Sequence, residues 1–385
     1  MQVRYRYRLY PHPPRQAALA RAFGCAPVVW NDALALSQDL YKRGENYLGS
    51  TELQKRCITQ ARQAPERSWL AEVSNVPLLQ SVRDLDQAFP AWWSCRKGKR
   101  QGRVPAPRFK RRSNKQSLRF TRNAFRVEGE TLRLTKVGSI PITWSRDLPA
   151  TPSSVTIIKD GAGRRFASFA VQVERPPLES NGRAVGIDLG GAALTVTSDG
   201  EKIAPPQFLR SAGKRLRRVQ RSLRRKARGA DNRFKARFRL AKAQAKVSDS
   251  RLDVLHKLST RLIRETQAIC IEDMHGAGMM QNRKQARSMA DAGWRMLRTL
   301  LEYNADLYGP ALKGISRWQP ASQAGSTCGH SDGKKPFRVR AAWNILAAGL
   351  AERLDACGAE GLTGVSPSGR EAGTHLNQGV QLCTA

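Results

Sequence analysis

Two short apolar runs that each end in a carboxylate set the tightest limit on this fold. One is the "AVGID" of "RAVGIDLGGAALTVTSDG" (183–200), and the other is "QAICIED" (267–273). Both have the length and composition of buried strands. Side chains alternate along a strand, so Glu272 and Asp273 face opposite sides. If the two runs are neighbouring central strands, Asp188 and Glu272 point at one spot. Burying both unpaired would cost several kcal/mol, so they need cations or protonation. A divalent metal is the economical answer. Mg²⁺ prefers carboxylates, water and phosphate oxygens. Two such ions about 4 Å apart can hold the attacking and leaving oxygens of a phosphodiester. The alternative reading is that Asp188 merely caps the turn before its glycines.

Around this core the chain is strongly basic. Its 385 residues carry a formal net charge of +36, with 67 Lys and Arg against 31 Asp and Glu. Such an excess opposes compact folding unless a polyanion neutralises it, which points to nucleic acid. An anionic membrane fits less well, because neither an apolar run of spanning length nor a signal peptide is visible. The length allows two or three domains. Seven cysteines are scattered without framework spacing, consistent with reduced thiols in a cytoplasm.

"MQVRYRYRLY" (1–10) alternates with a strand period, and "PHPPRQ" then breaks the chain. Residues 15–95 carry helix-spaced apolar positions. A basic segment broken by Pro and Gly follows at 96–116. Six short strand patterns occupy about 117–174 and, with the first ten residues, suggest a small barrel or sandwich. "RPPLESNG" (175–182) reads as a linker. After the first acid-tipped strand, a long helical stretch is expected from about 208 to 266. "SMADAGWRMLRTLLEYNADLYG" (288–309) is an amphipathic helix with Trp294, Leu297, Leu301 and Tyr308 on one stripe. "ALKGISRWQ" is a strand, and a last helix runs to about 357. The Gly/Ser/Thr-rich tail after it reads as frayed.

The opening of the long helical stretch, "KRLRRVQRSLRRK", places Lys214, Arg215, Arg217, Arg218, Arg221, Arg224, Arg225 and Lys226 around a helix with few acids. A solvated charged face would have the same composition, but the missing acids favour nucleic-acid contact. Contacts of this kind go to phosphates and carry little sequence information.

These blocks, with "VLHKLSTRLIRE", "ICIEDMHGAGMM", "DAGWRMLRTLLEYNADLYG" and "AAWNILAAGL", resemble in order the TnpB (OrfB) proteins of IS200/IS605-type insertion elements. The match is dense over 183–350 and looser before it, where "RFK" (108–110) also fits. TnpB proteins are RNA-guided DNA endonucleases related to type V CRISPR effectors. The resemblance implies an α+β multidomain fold. A wedge β-barrel would be formed by 1–10 and 105–175, with a helical recognition lobe inserted at 11–104. A RuvC-like domain of RNase H fold would take 183–316 and 337–358. A zinc-ribbon remnant would lie at 317–336 and a flexible tail at 359–385.

The family's nuclease site uses three acids. Asp188 matches the first and Glu272 the second. The block that carries the third reads "PFRVRAAWNIL" here, and Arg338 stands where the aspartate belongs, with Arg340 in place of the following asparagine. Residues 333–351 contain no acid. The ribbon's first C-x-x-C pair has become Gly325-x-x-Cys328, and its second is missing. Structural zinc wants four ligands, and Cys328 with His330 offers at most two, so zinc is not expected. A guanidinium at the third position would repel Mg²⁺ and could pair with Asp188 or Glu272, so Mg²⁺ binding should be weak or absent. Asp332, in a loop, and Asp355, well into the last helix, are the candidate substitutes.

The pattern is similar to nuclease-dead TnpB relatives called TldR, which bind DNA under RNA guidance and repress transcription. The expected partners are a small guide RNA and double-stranded target DNA with a short flanking motif, in a bacterial cytoplasm at the nucleoid. In this family base pairing reads most of the sequence and the protein checks the flanking motif. Gln80 could read an adenine, and Asn31, Phe109 and Lys110 are further candidates. Trp30 fits core packing, and Trp92–Trp93 fits either core or a base-stacking platform. The rivals are an endonuclease with a rearranged third acid, a general basic RNA-binding protein, and a decayed transposon gene. Monomer and dimer both stay open.

Overall fold

The computed structural model describes residues 1–99, 102–111, 116–174, 178–179, 181–190, 193–273, 292–316 and 338–356, with the backbone alone at 338–340 and 352–356. The chain forms two compact units, Met1–Glu174 and Arg175–Ala385. The boundary falls at the start of the Pro-containing segment expected to be a linker.

Unit 1 is a curled antiparallel sheet with helices inserted after its first strand. The strands are β1 (Gln2–Leu9), β2 (Gln116–Thr121), β3 (Phe125–Glu128), β4 (Thr131–Leu134), β5 (Gly138–Thr143), β6 (Ser154–Lys159) and β7 (Arg165–Gln172). Their order is β2-β6-β7-β1-β5-β4-β3. The two outermost strands, β2 and β3, are joined directly by a one-turn 3₁₀ segment, Arg122–Ala124. In a flat sheet Phe125 of β3 and Phe169 of β7 would be roughly 19 Å apart, at about 4.8 Å per strand. Their ring centroids are 6.2 Å apart, so the sheet curls on itself. The strand period explains the interior: Val3, Tyr5, Tyr7 and Leu9 are buried, while Arg4 and Arg6 face out.

Residues 11–96 supply the helices of this unit: α1 (Pro13–Lys42), α2 (Ser50–Gln54) and α3 (Asn75–Arg96). A π-helical segment, Lys55–Gln60, and 3₁₀ turns join α2 to α3, so the expected helical region is not one regular run. Helices α1 and α3 pack together, and Ser81 Oγ donates to the Ala26 carbonyl at 2.8 Å.

Unit 2 holds a five-stranded sheet of order β10-β9-β8-β11-β12, made of β8 (Ala184–Asp188), β9 (Thr195–Thr197), β10 (Lys202–Ile203), β11 (Ala268–Glu272) and β12 (Ala311–Ile315). Strands β8, β11 and β12 are mutually parallel, and β9 runs antiparallel to β8. The long helical stretch is broken into α4 (Phe208–Ser211), α5 (Gly213–Arg224) and α6 (Asp231–Glu265). The break falls at "RKARGA", where Gly229 has φ +90, a conformation with no Cβ penalty only in glycine. Helix α7 (Trp294–Tyr308) follows in the described residues, and α8 (Arg338–Ala356) closes them.

The sheet is covered on both faces. Val185, Ile187, Ile269 and Ile271 pack against Leu255, Leu258, Leu262 and Ile263 of α6 and Trp294, Leu297 and Leu301 of α7. The stripe expected on α7 is the one that is buried, with Tyr308 partly so. On the opposite face Cys270 and Ile315 pack against Ile345 and Leu346 of α8. Helix α6 is about 50 Å long at 1.5 Å per residue. Its last third lies on the sheet, while Ala243 and Val247 instead pack against Leu216 of α5.

Candidate functional site

The register of the central strands decides which acids meet. Ala268 to Ile271 pair with Ala184 to Ile187, so the next step aligns Glu272 with Asp188. Both acids sit at the C-terminal ends of adjacent parallel strands and share the face of Gly186 and Cys270, two residues earlier on each strand. That is the face under α8. A Cβ on Gly186 would collide with the Ala342 carbonyl oxygen and lie 2.9 Å from Leu346 Cβ. A Cβ on Gly349 would strike the Cys270 sulfur. Glycine at both positions lets helix and sheet approach closely.

Asp188 is 9% exposed and Glu272 is half-buried. Burial, then the nearby charge of Asp188, raises the Glu272 pKa above its ordinary value. Asp273 is different in kind. It faces the other side, ion-pairs with Arg298 of α7, and Arg298 also holds Glu302 at 2.9 Å. Of the two adjacent acids in "CIED", one is anchored to a helix and the other meets Asp188.

Arg338 opens α8, one helical turn before Ala342. No group of three or more His, Cys, Asp or Glu residues able to hold a metal occurs among the described residues. Two carboxylates alone do not match the donor set of a two-ion site, so no step is assigned here to a bound metal. The expected ribbon remnant with Gly325, Cys328 and His330, the candidate substitute Asp332, and the expected tail lie outside the described residues, as do the side chains of Arg338, Arg340 and Asp355.

The basic helix behaves as an amphipathic element. Leu216 is its buried residue, and Lys214, Arg215, Arg217, Arg218, Arg221, Arg224, Arg225 and Lys226 are all exposed. None makes an ion pair among the described residues. The α5–α6 hairpin is closed by Arg233, which donates to the carbonyls of Leu223 (3.2 Å) and Lys226 (2.7 Å). Apolar contacts and side-chain-to-backbone hydrogen bonds thus fix the hairpin and leave the α5 cations facing water.

In unit 1 the structure brings Gln80 and Lys110 together, along a cavity of about 300 Å³. Its walls include Arg4, Pro27, Asp84 and Arg119. Gln80 is 9% exposed and directed by α3. Pro27 interrupts α1 here and has no N–H, which frees the Phe23 carbonyl from its helical partner. Asp84 ion-pairs with Arg119.

Asn31 does not line this cavity. Its side chain accepts from Lys110 N at 2.8 Å and donates to Lys110 O at 3.0 Å, and Trp30 Nε1 donates to the Arg108 carbonyl at 3.0 Å. Together they clamp "RFK" as a strand partner would. The Lys110 ammonium lies 3.6 Å from the Trp30 ring centroid, and burial lowers its pKa to about 8. Trp30 is buried, as core packing requires, and Phe109 is exposed. Trp92 and Trp93 form a half-exposed pair, 4.6 Å between centroids, with Arg96 over both rings. Sequence reasoning missed Arg4 and Arg119, because a strand's outer face shows which way a side chain points but not which helix sits opposite. No helix among the described residues is long and apolar enough to cross a membrane.

Comparison with known proteins identifies the relatives. The OrfB model of IS605-type elements, described as a probable transposase, matches residues 168–283. A model described as a helix-turn-helix domain matches 1–46, where the structure has β1 and the single helix α1. A protein of Streptomyces pristinaespiralis named "Putative RNA-guided DNA endonuclease" is 39% identical over 99% of this chain and 97% of its own. The "Putative RNA-guided DNA endonuclease InsQ" of Escherichia coli K12 is 27% identical over 92% and 93%. A cryo-EM structure of a Cas12f1–sgRNA–target DNA complex aligns with 91% of this chain and 98% of that one, at 13% identity and TM-score 0.29. The chain therefore belongs to the OrfB (TnpB) family of IS605-type elements.

Proposed function

We propose that this protein binds DNA under RNA guidance and acts by occupying its target, as a repressor without nuclease activity. The observation that carries this reading is the acid pair Asp188–Glu272 under a helix that opens on Arg338 instead of a carboxylate. A third carboxylate opening that helix would complete a metal site, whereas an arginine there brings no ligand and a charge of the same sign as the metal's. In this reading unit 1 is the wedge with its inserted recognition lobe, unit 2 is the RuvC-like domain, and 317–336 is the ribbon remnant.

The eight exposed cations of α5 support binding to phosphates of the guide RNA or its hybrid with DNA. The cavity around Gln80 and Lys110 suits a flanking base pair. A carboxamide can take adenine's N6 and N7 in the major groove while cations hold the adjacent phosphate. Asn31 then acts through Lys110, as a positioning residue.

The test uses the purified full-length protein with its co-purifying small RNA. A labelled duplex matching that RNA is offered with Mg²⁺, and retention and cleavage are both scored. Guide-matched retention of intact DNA supports the proposal. Cleavage that is lost in Asp188→Ala favours the second reading, an endonuclease completed by another acid, which the names of the curated relatives suggest. Binding that ignores the guide sequence favours a general RNA-binding protein.

A further inference from the structure

The outer face of β1 and β7 carries a second cationic feature, separate from α5 and from the Gln80 cavity. Arg6 and Arg8 point outward from β1, and Phe166 of β7 is the direct cross-strand partner of Arg8. Three guanidiniums gather on that one ring. Arg6, Arg8 and Arg164 lie 4.3, 5.0 and 5.4 Å from the Phe166 centroid, and Arg8 also sits 5.4 Å from Tyr10. One carboxylate partly balances them, since Asp160 holds Arg164 at 2.6 Å. Arg6 and Arg8 make no ion pair among the described residues.

A ring can hold one cation favourably, but three like charges around it repel one another. One donor of the cluster, Arg8 Nη1, is buried without a hydrogen-bond partner. A buried donor left unmet is costly, and more so when it is charged. Nothing in the sheet needs this arrangement, because the barrel interior is filled from the opposite side of the same strands. The cluster has the features of a site completed from outside by an anion.

We propose that Arg6, Arg8 and Arg164, arranged around Phe166, dock the phosphodiester backbone of an unpaired nucleic-acid strand. Guanidiniums gathered around an aromatic ring can turn their N–H edges outward as forks for phosphate oxygens. Their planes and the half-exposed ring offer stacking surface to splayed bases. A duplex offers phosphates but no free bases, so the mixed cation and aromatic patch fits a single strand better. This site does not depend on the nuclease-dead reading and holds equally for an active enzyme.

The experiment compares full-length wild type with Arg6→Gln/Arg8→Gln, after removal of co-purified RNA. The probes are mixed-sequence single-stranded RNA, single-stranded DNA of the same sequence, and duplex DNA, each about 16 nucleotides long. Affinity is read across a salt titration, and the melting temperature of the free protein is read alongside. The double variant is expected to lose about tenfold to a hundredfold in single-strand affinity, as for lost charge-assisted contacts. The slope of log K against log salt should fall by about 1.4, or about 0.7 for each of two phosphates. Melting should be unchanged or raised, because like charges have been removed.

Loss for RNA alone, DNA alone or both supports the proposal and identifies the strand. Unchanged affinity and slope overturn the proposal. So does a loss confined to duplex, or a lower melting temperature accompanied by equal loss for every probe. If the double variant does not fold, Arg8→Lys keeps the charge and removes the fork. It should lose severalfold in single-strand affinity with wild-type melting, and no loss there overturns the proposal.

Discussion

The strand ends of unit 2 and the outer sheet face of unit 1 crowd charge of opposite sign by the same means. At Asp188 and Glu272, two carboxylates are brought together by strand register beneath a helix. At Arg6, Arg8 and Arg164, three guanidiniums are brought together by cross-strand pairing around a phenylalanine. Burial and the charge of Asp188 push Glu272 upward, toward neutrality, and at the arginines Arg8 Nη1 is left buried without a hydrogen-bond partner. The acids lie under α8, with Asp188 nearly enclosed, whereas Arg6 is exposed and the cluster is open to a large ligand. Crowded charge therefore does not by itself mark a catalytic centre. What it can receive depends on the space left beside it.

The largest expected effect lies at the fully exposed limit of this comparison, the α5 face. Changing Arg217, Arg218 and Arg221 together to Glu should lower nucleic-acid affinity by about a hundredfold or more near 0.1 M salt, and reduce the salt slope by about 2–3. Gel retention across a salt series checks this. The fold should hold, since none of the three is buried or paired. An unchanged slope would leave the β1–β7 face and the Gln80 cavity as the main phosphate sites.

The next effect acts on the cover over the acid pair. Gly186→Ala should destabilise unit 2 by about 3 kcal/mol, the upper end of the usual range for overpacking, because the obstructing atom is the Ala342 backbone carbonyl. Urea melts would show it. Gly200→Ala is a useful contrast, because no atom lies within 4 Å of a Cβ there and the cost arises from φ +87 alone.

A smaller effect tests the like-charge contact directly. The folded-state pKa of Glu272 is raised, so its ionised form is disfavoured on folding. The folded state therefore holds its proton more tightly, and stability falls as pH rises from about 4.5 through the raised pKa. Glu272→Gln should remove that decline and raise Tm at neutral pH, by about 2–4 °C for each kcal/mol relieved. Millimolar Mg²⁺ should leave the wild-type Tm unchanged if the site lacks its third acid. A clear Mg²⁺-dependent rise that Glu272→Gln abolishes would show that another ligand completes it.

The smallest expected effect concerns Lys110. With a pKa of about 8 its charge is lost within the range of ordinary buffers. Binding of a duplex with the flanking motif should weaken severalfold as pH rises through about 8. Lys110→Arg should flatten that profile. Stability alone should move the other way over the same interval, improving as the buried cation loses its proton.

Much of the architecture was legible in the chain. Period-two alternation in "MQVRYRYRLY", and short runs set off by turn residues from 117 to 174, marked the strands of unit 1, because burial follows local pattern, although β7 is buried on both faces from Ala167 to Val171. The stripe on α7 was legible for the same reason. The π-helical and 3₁₀ region at 55–72 was not, since its apolar spacing is compatible with an ordinary helix and tertiary packing chooses the local winding. The hairpin break at 225–230 was under-read, because a basic run continues through Gly229 and hides the turn.

By itself the sequence determined that Asp188 and Glu272 end buried strands, that Asp273 faces away from Glu272, and that α5 carries cations almost without acids. These follow from periodicity and composition, which are local. Only the tertiary structure decided that β8 and β11 are neighbours in matching register, that Asp273 is held by Arg298, and that Asn31 holds the Lys110 backbone while Gln80 lines a cavity with Arg4 and Arg119. It alone gathered Arg6, Arg8 and Arg164 on Phe166, although Phe166 lies about 160 residues from the first two. Pairings of that separation depend on which strands meet and in which register, and both are fixed by packing the whole sheet.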